Sequence, residues 1–141
     1  MSNLLRISEA ASLALHSMVL LAADPKRKIS TREIASKLNV SEAHLSKVLQ
    51  RLTKEGMVKS IRGPRGGFVL ARSKDEISLL DVYETIEGPL VPIQCLLDDP
   101  VCNGGGCIFG GLLGSLGNKF RDHLAETKLS KVTHLYRGVH A

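Results

Sequence analysis

The apolar residues of segment 30–55 recur every three or four positions, which is the spacing of two short amphipathic helices. Ser30 and Glu33 have the spacing of a capping box and predict the start of the first helix. Asn39 tolerates the left-handed conformation and predicts a tight turn, after which Ser41 predicts the N-cap of the second helix. The apolar residues of the second helix form one narrow stripe: Leu45, Val48, Leu49 and Leu52. Two short helices joined by such a turn predict a helix-turn-helix.

Residues 57–72 contain two β-prone runs on either side of a Gly-Pro-Arg-Gly-Gly segment at 63–67. Glycines in such a segment permit the tight turn of a β-hairpin. A hairpin directly after a helix-turn-helix is a wing, and Arg62 and Arg65 fall at its tip. We therefore expect a mainly α fold with a small β-hairpin wing, in which the helix-turn-helix occupies residues 30–55.

The pattern of exposed polar residues favours DNA as the partner. The N-terminal part of a recognition helix enters the major groove, and a wing arginine suits the minor groove. The residues expected to contact DNA are Ser41, His44, Ser46, Lys47 and Arg51 on the helix and Lys59, Arg62 and Arg65 on the wing. The alternatives are a helical hairpin with a merely solvated basic face and a winged-helix module used for protein contacts.

Charge is divided unevenly between the two halves of the chain. Residues 1–74 hold fourteen Lys or Arg against five Asp or Glu, a net charge of +9, whereas residues 75–141 hold five against nine, a net charge of −4. This division is typical of a protein whose N-terminal half meets a polyanion while its C-terminal half does not, and charge alone is equally consistent with a merely solvated basic face.

Other classes of function lack support in the sequence. It has no phosphate-binding glycine motif, nucleophile elbow or recognisable Ser/His/Asp set, so we expect neither an enzyme nor a small-molecule substrate. No apolar run approaches the ~20 residues of a membrane span. The N-terminal apolar residues have helical spacing rather than the continuous core of a signal peptide, so we expect a cytoplasmic protein.

Two further helices are predicted after the wing. Ser78 caps a short helix that buries Leu79, Val82, Tyr83 and Ile86 and ends at Gly88-Pro89. A long helix from about Ile108 to Thr127 carries apolar residues on one side and is longer than a small winged domain can cover. Pairing two copies along this helix would cover its apolar side, so we expect a homodimer with close approach at Gly110, Gly114 and Gly117. The alternative is a helix that packs wholly within its own subunit. A two-fold dimer in turn predicts a palindromic operator.

All three cysteines, Cys95, Cys102 and Cys107, lie in one glycine-rich segment between these two helices. Reduced cytoplasmic thiols more often bind metal or sense redox state than form structural disulfides. The spacing is neither that of a zinc finger nor that of a plant-type ferredoxin. Glycines 104–106 supply backbone N–H groups that could donate hydrogen bonds to the sulfurs of an iron–sulfur cluster bound by these thiols.

The GPRGGFVLAR wing, the ISLLDVYETIEGP segment and the three-cysteine loop together resemble the IscR/NsrR-type (Rrf-two) family of bacterial winged-helix regulators. The resemblance covers essentially the whole chain. It implies a homodimeric transcription factor, usually a repressor, with residues 1–88 as the DNA-binding domain, 89–107 as the sensor loop and 108–141 as the dimerisation helix and C-terminal segment. Many members carry an iron–sulfur cluster that controls DNA binding, and others lack the cysteines.

The resemblance implies three thiolate ligands and leaves both the fourth ligand and the cluster type, 2Fe-2S or 4Fe-4S, open. The gaps between the cysteines are six and four residues here, against about five each in the family. The family's histidine position after the last cysteine is Gly110 here, and its first-helix carboxylate position is Ser12. His16, one turn beyond Ser12, is the candidate fourth ligand. The alternatives are a structural His16 bonded to a carbonyl, and a cluster-free regulator with a Cys102–Cys107 disulfide or a zinc site.

Overall fold

A computed structural model describes residues 7–102 and 106–136. Its helices are α1 (Glu9–Ala23), α2 (Thr31–Leu38), α3 (Glu42–Lys54), α4 (Leu79–Glu87), α5 (Leu112–Glu126) and α6 (Leu129–Val132), and a 3₁₀ turn follows at Thr133–Tyr136. Strands β1 (Val58–Ile61) and β2 (Gly67–Leu70) form an antiparallel hairpin. This mainly α fold with a two-stranded wing confirms the predicted fold class. Within the described ranges, no helix has the length and apolar character needed to cross a membrane.

Helix α1 is the centre of the core. Most of it is buried because α2, α3, α4, α6 and β2 all pack against it, while Glu9 and His16 remain exposed. Met18 and Leu20 are completely buried, although they lie on different faces of the helix. The recognition helix α3 and helix α4, which precedes the cysteine segment, therefore pack against the same helix.

The predicted caps form the helix-turn-helix. The Ser30 hydroxyl accepts a hydrogen bond from the Glu33 N–H at 3.1 Å, and Asn39 adopts the left-handed conformation with φ 54°. The Glu33 carboxylate pairs with Arg27 at 2.6 Å and with Lys37 at 3.6 Å. α3 begins after the predicted N-cap and buries the whole predicted stripe: Leu45, Val48, Leu49 and Leu52.

The wing contains one pairing that the sequence did not predict. Ile29 forms an antiparallel bridge to Phe68, with backbone hydrogen bonds of 3.1 and 2.8 Å between them. Gly67 permits this contact, since a Cβ there would lie 2.8 Å from backbone atoms of Ile29. The chain leaving Ile29 for α2 therefore runs toward the wing turn, because the two segments are antiparallel.

Helix α5 begins four residues later than the predicted start at Ile108. Gly110 has φ 59°, a left-handed conformation that interrupts a right-handed helix, and α5 starts after Gly111. At 15 residues the helix is about 22 Å long rather than the ~30 Å expected. The last thiol, Cys107, is therefore separated from α5 by a short turn.

Two of the glycines predicted for the dimer contact instead accommodate a segment of their own subunit. A Cβ at Gly117 would lie 2.9 Å from Cβ of Pro92, and a Cβ at Gly114 would lie 3.1 Å from the Gln94 side chain. The segment that leads to Cys95 thus packs directly on α5. The residues of α5 and the turn before it that remain exposed and apolar are Ile108, Phe109, Leu112 and Leu116.

The chain after α5 returns to the core. Leu129 of α6 is completely buried, and both α6 and the 3₁₀ turn pack against α1. Residues 137–141 of the predicted C-terminal segment lie outside the described residues.

Candidate nucleic-acid interface and cysteine loop

The outer face of α3 presents the side chains expected to contact DNA. Lys47 and Arg51 are exposed, and His44 and Ser46 are half-buried at the edges of the helix. Ser41 is exposed, but its hydroxyl also caps α3 by accepting the His44 N–H at 3.4 Å. The hydroxyl proton stays free to donate, so capping does not prevent contact with a base or a phosphate.

His44 has a partner that sequence reasoning missed. Its Nδ1 lies 3.7 Å from Oε1 of Glu9, the first residue of α1. The His44 side chain is partly exposed and the Glu9 side chain is largely exposed, so the contribution of the contact to stability is small. It nevertheless fixes a carboxylate beside the face of α3 that is expected to meet a polyanion.

The wing carries exposed arginines at its turn. Arg62 and Arg65 are both exposed, and Lys59 is exposed on β1. The Gly66 N–H donates to the Gly63 carbonyl at 2.9 Å and closes the turn between the strands. Since α3 and the wing are both exposed and basic, the structure places all eight predicted DNA-contacting residues where solvent reaches them.

Further basic residues lie next to this surface. Residues 26–37 hold five Lys or Arg against one Glu. Lys26, Lys28 and Arg32 are exposed. They belong neither to the recognition helix nor to the wing, so no motif in the sequence marked them as DNA contacts. The bridge from Ile29 to Phe68 connects their segment to the wing sheet and makes them candidates.

The segment predicted as the sensor loop, residues 89–107, is here called the cysteine loop. It presents three free thiols. Cys95 and Cys107 are half-buried and Cys102 is exposed. The Cys95 Sγ accepts the Leu97 N–H at 3.4 Å, and the Cys107 Sγ accepts the Phe109 N–H at 3.5 Å. Within residues 7–102 and 106–136, no three His, Cys, Asp or Glu side chains come together as a metal site. Gly104 and Gly105, two of the three glycines predicted to face a cluster, lie outside those ranges.

His16 lies on the exposed side of α1. Its Nδ1 is 2.7 Å from the Ser12 carbonyl oxygen, which only accepts, so Nδ1 carries the proton and Nε2 holds the lone pair of the neutral ring. A bond of this kind commonly orients a metal-binding histidine. It is also the bond expected of a structural histidine, and the described structure does not bring the cysteines to it.

A cavity of about 460 Å³ lies where the cysteine loop begins. It is bounded by α4, by α5 and by segment 89–100, and Cys95 is on its wall. Tyr83 and Phe120 meet edge to face in this wall, with ring centroids 6.3 Å apart. The first thiol therefore faces a space shared by the winged domain and α5.

A helix-turn-helix with an exposed basic recognition helix, followed by a basic wing, defines a winged-helix DNA-binding transcriptional regulator. A family model described as iron-dependent transcriptional regulator, Rrf2, matches residues 7–135. The chain belongs to the Rrf2 family, which confirms the family resemblance of its sequence.

Individual relatives agree with this assignment. BadM of Rhodopseudomonas palustris, an HTH-type transcriptional regulator by name, is 33% identical over 90 residues, which are 64% of this chain and 58% of that protein, so the match spans less than two thirds of that relative. NsrR of Halalkalibacterium halodurans is 29% identical over 120 residues, 79% of this chain and 82% of the relative. The structure of CymR, the global cysteine regulator of Bacillus subtilis, has a TM-score of 0.78 at 30% identity and covers 93% of this chain and 98% of that one. All three are named as regulators, which confirms the expectation of a protein that is not an enzyme.

Proposed function

We propose that this protein is a cytoplasmic homodimer that binds a palindromic DNA operator, as a repressor, and that its cysteine loop controls this binding. The observation that carries the proposal is the connection between the two surfaces. The cysteine loop packs on α5 through Pro92 and Gln94, and it follows directly from α4 of the winged domain. A change in the loop therefore acts on both the proposed dimer helix and the DNA-binding domain.

The DNA contacts follow from position and charge. The N-terminal half of α3 offers Ser41, His44 and Lys47 to base edges, while Ser46 and Arg51 lie toward the groove walls. Arg62 and Arg65 at the wing turn suit the narrow minor groove, and Lys59 suits the phosphate backbone. The net charge of +9 on residues 1–74 supports a polyanionic partner.

The homodimer follows from the apolar residues that a single subunit leaves uncovered. Leu112 is 49% exposed and Leu116 is 39% exposed, and they lie one turn apart on α5. Ile108 and Phe109 extend this surface into the preceding turn. Burying such a surface against a second copy brings two recognition helices into one two-fold assembly, whose half-sites must repeat about one helical turn apart.

The donor set of the loop fits an iron–sulfur cluster. Three thiols on one connection are the ligand chemistry that such clusters use, and the N–H groups of Leu97 and Phe109 already point at two of the sulfurs. Cys95, Cys102 and Cys107 would hold the cluster, with His16 as the candidate fourth ligand. When bound, a cluster supplies a centre whose charge and integrity respond to iron supply and oxidants. The residues of the chain contribute sulfur ligands, N–H donors and the connection to α5.

The test is anaerobic purification followed by iron and acid-labile sulfide analysis, visible absorption, and titration of promoter DNA. We expect a coloured protein with iron and sulfide in comparable amounts, and DNA binding that weakens as salt rises. A variant with all three cysteines replaced by serine is the control: it should be colourless and should bind DNA differently from the parent. Identical binding by parent and triple variant would contradict control by the loop.

A cluster-free thiol switch is the second candidate. It is favoured by the exposure of Cys102 and by the separation of the metal-binding side chains in the described structure. In that case the purified protein is colourless, and its DNA affinity changes with a dithiol reductant or with zinc. A winged-helix module used for protein contacts would instead bind no promoter DNA at any salt concentration.

A further inference from the structure

Arg32 occupies a position that the proposed DNA contacts do not use. It is the second residue of α2, it is exposed, and it makes no ion pair with any described residue. Two of the other basic residues of segment 26–37 differ in this respect. Arg27 and Lys37 both pair with Glu33, so the only carboxylate of segment 26–37 is already neutralised. The positive charge of Arg32 is therefore uncompensated.

The wing sheet fixes where Arg32 lies. Ile29 pairs with Phe68 through two backbone hydrogen bonds, and the antiparallel direction carries the next residues toward Gly66 and the wing turn. Gly67 makes this approach possible because it has no side chain to meet Ile29. The start of α2 is consequently held beside the turn that carries Arg65. In a helix each Cβ tilts toward the N-terminus, so the Arg32 side chain leans toward this same end.

A winged-helix protein with α3 in the major groove and its wing in the neighbouring minor groove must straddle one sugar–phosphate strand. That strand separates the two grooves, and the start of α2 is connected to both DNA-contacting elements, because α2 packs on α3 and Ile29, two residues before α2, pairs with Phe68 of the wing. A guanidinium binds phosphate oxygens through two parallel N–H bonds, a geometry that a lone lysine cannot reproduce. The first helix of a helix-turn-helix crosses the backbone rather than the base edges, which favours phosphate over a base as the ligand.

We propose that Arg32 is a phosphate-binding residue that holds the DNA strand between the two grooves, and that the Ile29–Phe68 bridge positions it for this role. This inference rests on the proposed DNA-binding function. It adds a contact that positions the protein on the duplex and carries no sequence information.

The experiment uses the full-length protein, a duplex selected by the parent from a random library, and a shuffled duplex of the same length and composition. Affinities of the parent and of Arg32→Ala are measured over a series of salt concentrations. We expect Arg32→Ala to weaken binding to both duplexes by a similar factor of about three to thirty, and to lower the slope of log affinity against log salt by about 0.9, the value for one phosphate. The ratio of specific to shuffled affinity should stay within about twofold of the parent.

Arg121→Ala is the matched control, because Arg121 is also an exposed arginine on a helix but lies on α5. It should leave both affinity and salt slope unchanged. A second measurement replaces single backbone phosphates by uncharged methylphosphonates. One position between the two grooves should weaken the parent several-fold and leave Arg32→Ala unaffected.

The outcomes separate this inference from the function on which it rests. A parent that binds neither duplex overturns both. The parent could bind with normal salt dependence while Arg32→Ala keeps the full salt slope and loses as much affinity as the parent at every methylphosphonate position. That result overturns only the role of Arg32. A loss of sequence preference with an unchanged slope would make Arg32 a base-reading residue and would overturn the phosphate assignment.

Discussion

Glu9 at the start of α1 lies 3.7 Å from His44 on the recognition helix. The residue before it, Ser8, donates a hydrogen bond to the Glu87 carboxylate at the end of α4. Gly88 follows Glu87, and the segment leading to Cys95 begins there. Ser8 and Glu9, which are consecutive in the chain, therefore contact the end of α4 just before the cysteine segment and the recognition helix α3, respectively.

This relationship makes Glu9→Gln informative. Removing the carboxylate releases His44 and takes a negative charge away from the surface that meets phosphate, so operator affinity should rise by up to about fivefold, the range of an exposed ion pair. Glu42→Gln is the control, because Glu42 is an exposed carboxylate at the start of α3, two residues before His44. In a His44→Asn background the effect of Glu9→Gln should shrink, while that of Glu42→Gln stays. Equal effects in both backgrounds would show that Glu9 acts by general charge alone.

Arg65→Ala should weaken operator binding by about 1–3 kcal/mol if the wing turn enters the minor groove, and by less if Arg65 meets only phosphate. The measurement is a dissociation constant at fixed salt, together with circular dichroism to confirm the fold. Arg72→Ala, at an exposed site just beyond β2, is the control and should change the affinity little. An unchanged affinity for Arg65→Ala would remove the wing turn from DNA recognition.

Leu116→Glu should prevent the two copies from pairing. A carboxylate buried without a partner costs several kcal/mol, so the variant should sediment as a monomer and lose operator binding with it. Asn118→Glu is the matched control, because Asn118 is exposed about 200° around the helix from Leu116. Sedimentation of a folded Leu116→Glu dimer would locate the contact between copies elsewhere on the molecule.

Alanine at Cys95, Cys102 or Cys107 should abolish visible absorbance and change operator affinity at least several-fold, in the same direction for each. His16→Ala should keep the colour and shift the spectrum or speed its loss in air, since the other ligands remain. His123→Ala, at an exposed histidine of α5, should match the parent in both measurements. Three cysteine variants that bind DNA as the parent does would show that the loop is not the sensor.

Gly67→Ala should destabilise the wing. The new Cβ would lie 2.8 Å from backbone atoms of Ile29, which have no flexible side chain to yield, so a loss of about 1–3 kcal/mol in the free energy of unfolding is expected. Gly111→Ala is the control, because a Cβ there meets nothing within 4 Å. Chemical denaturation measures both. Equal stability of Gly67→Ala and the parent would mean that the bridge shifts without cost.

The sequence predicted those elements whose signals are local. The caps at Ser30, Ser41 and Ser78 and the apolar stripe of α3 each lie within a few residues of the structure they specify. The bridge between Ile29 and Phe68 joins residues far apart in the chain, and no local pattern encodes it. A glycine in the sequence likewise signals close approach without naming the partner, which is why Gly117 was expected to face a second copy and instead faces Pro92.

The start of α5 was misplaced for a similar reason. The apolar period continues back to Ile108, but Gly110 adopts a left-handed conformation that periodicity does not reveal. The candidate site also has features that the sequence predicts and features that it does not. The identity of DNA-facing and thiol residues is readable from the chain, whereas the contact between Glu9 and His44 depends on how α1 and α3 pack.

The C-terminal end of α5 is joined to the winged domain by two backbone hydrogen bonds of 2.9 Å, one from the Leu79 N–H to the Thr127 carbonyl and one from the Leu129 N–H to the Ile77 carbonyl. Its N-terminal end follows the turn after Cys107, and Gly114 in its first turn lies against Gln94 of the segment that leads to Cys95. The winged domain therefore holds the C-terminal end of α5, and the cysteine loop contacts its N-terminal end. We expect a displacement of the cysteine loop to tilt α5 about its end near Thr127, and in the proposed dimer this tilt would change the angle between the two recognition helices.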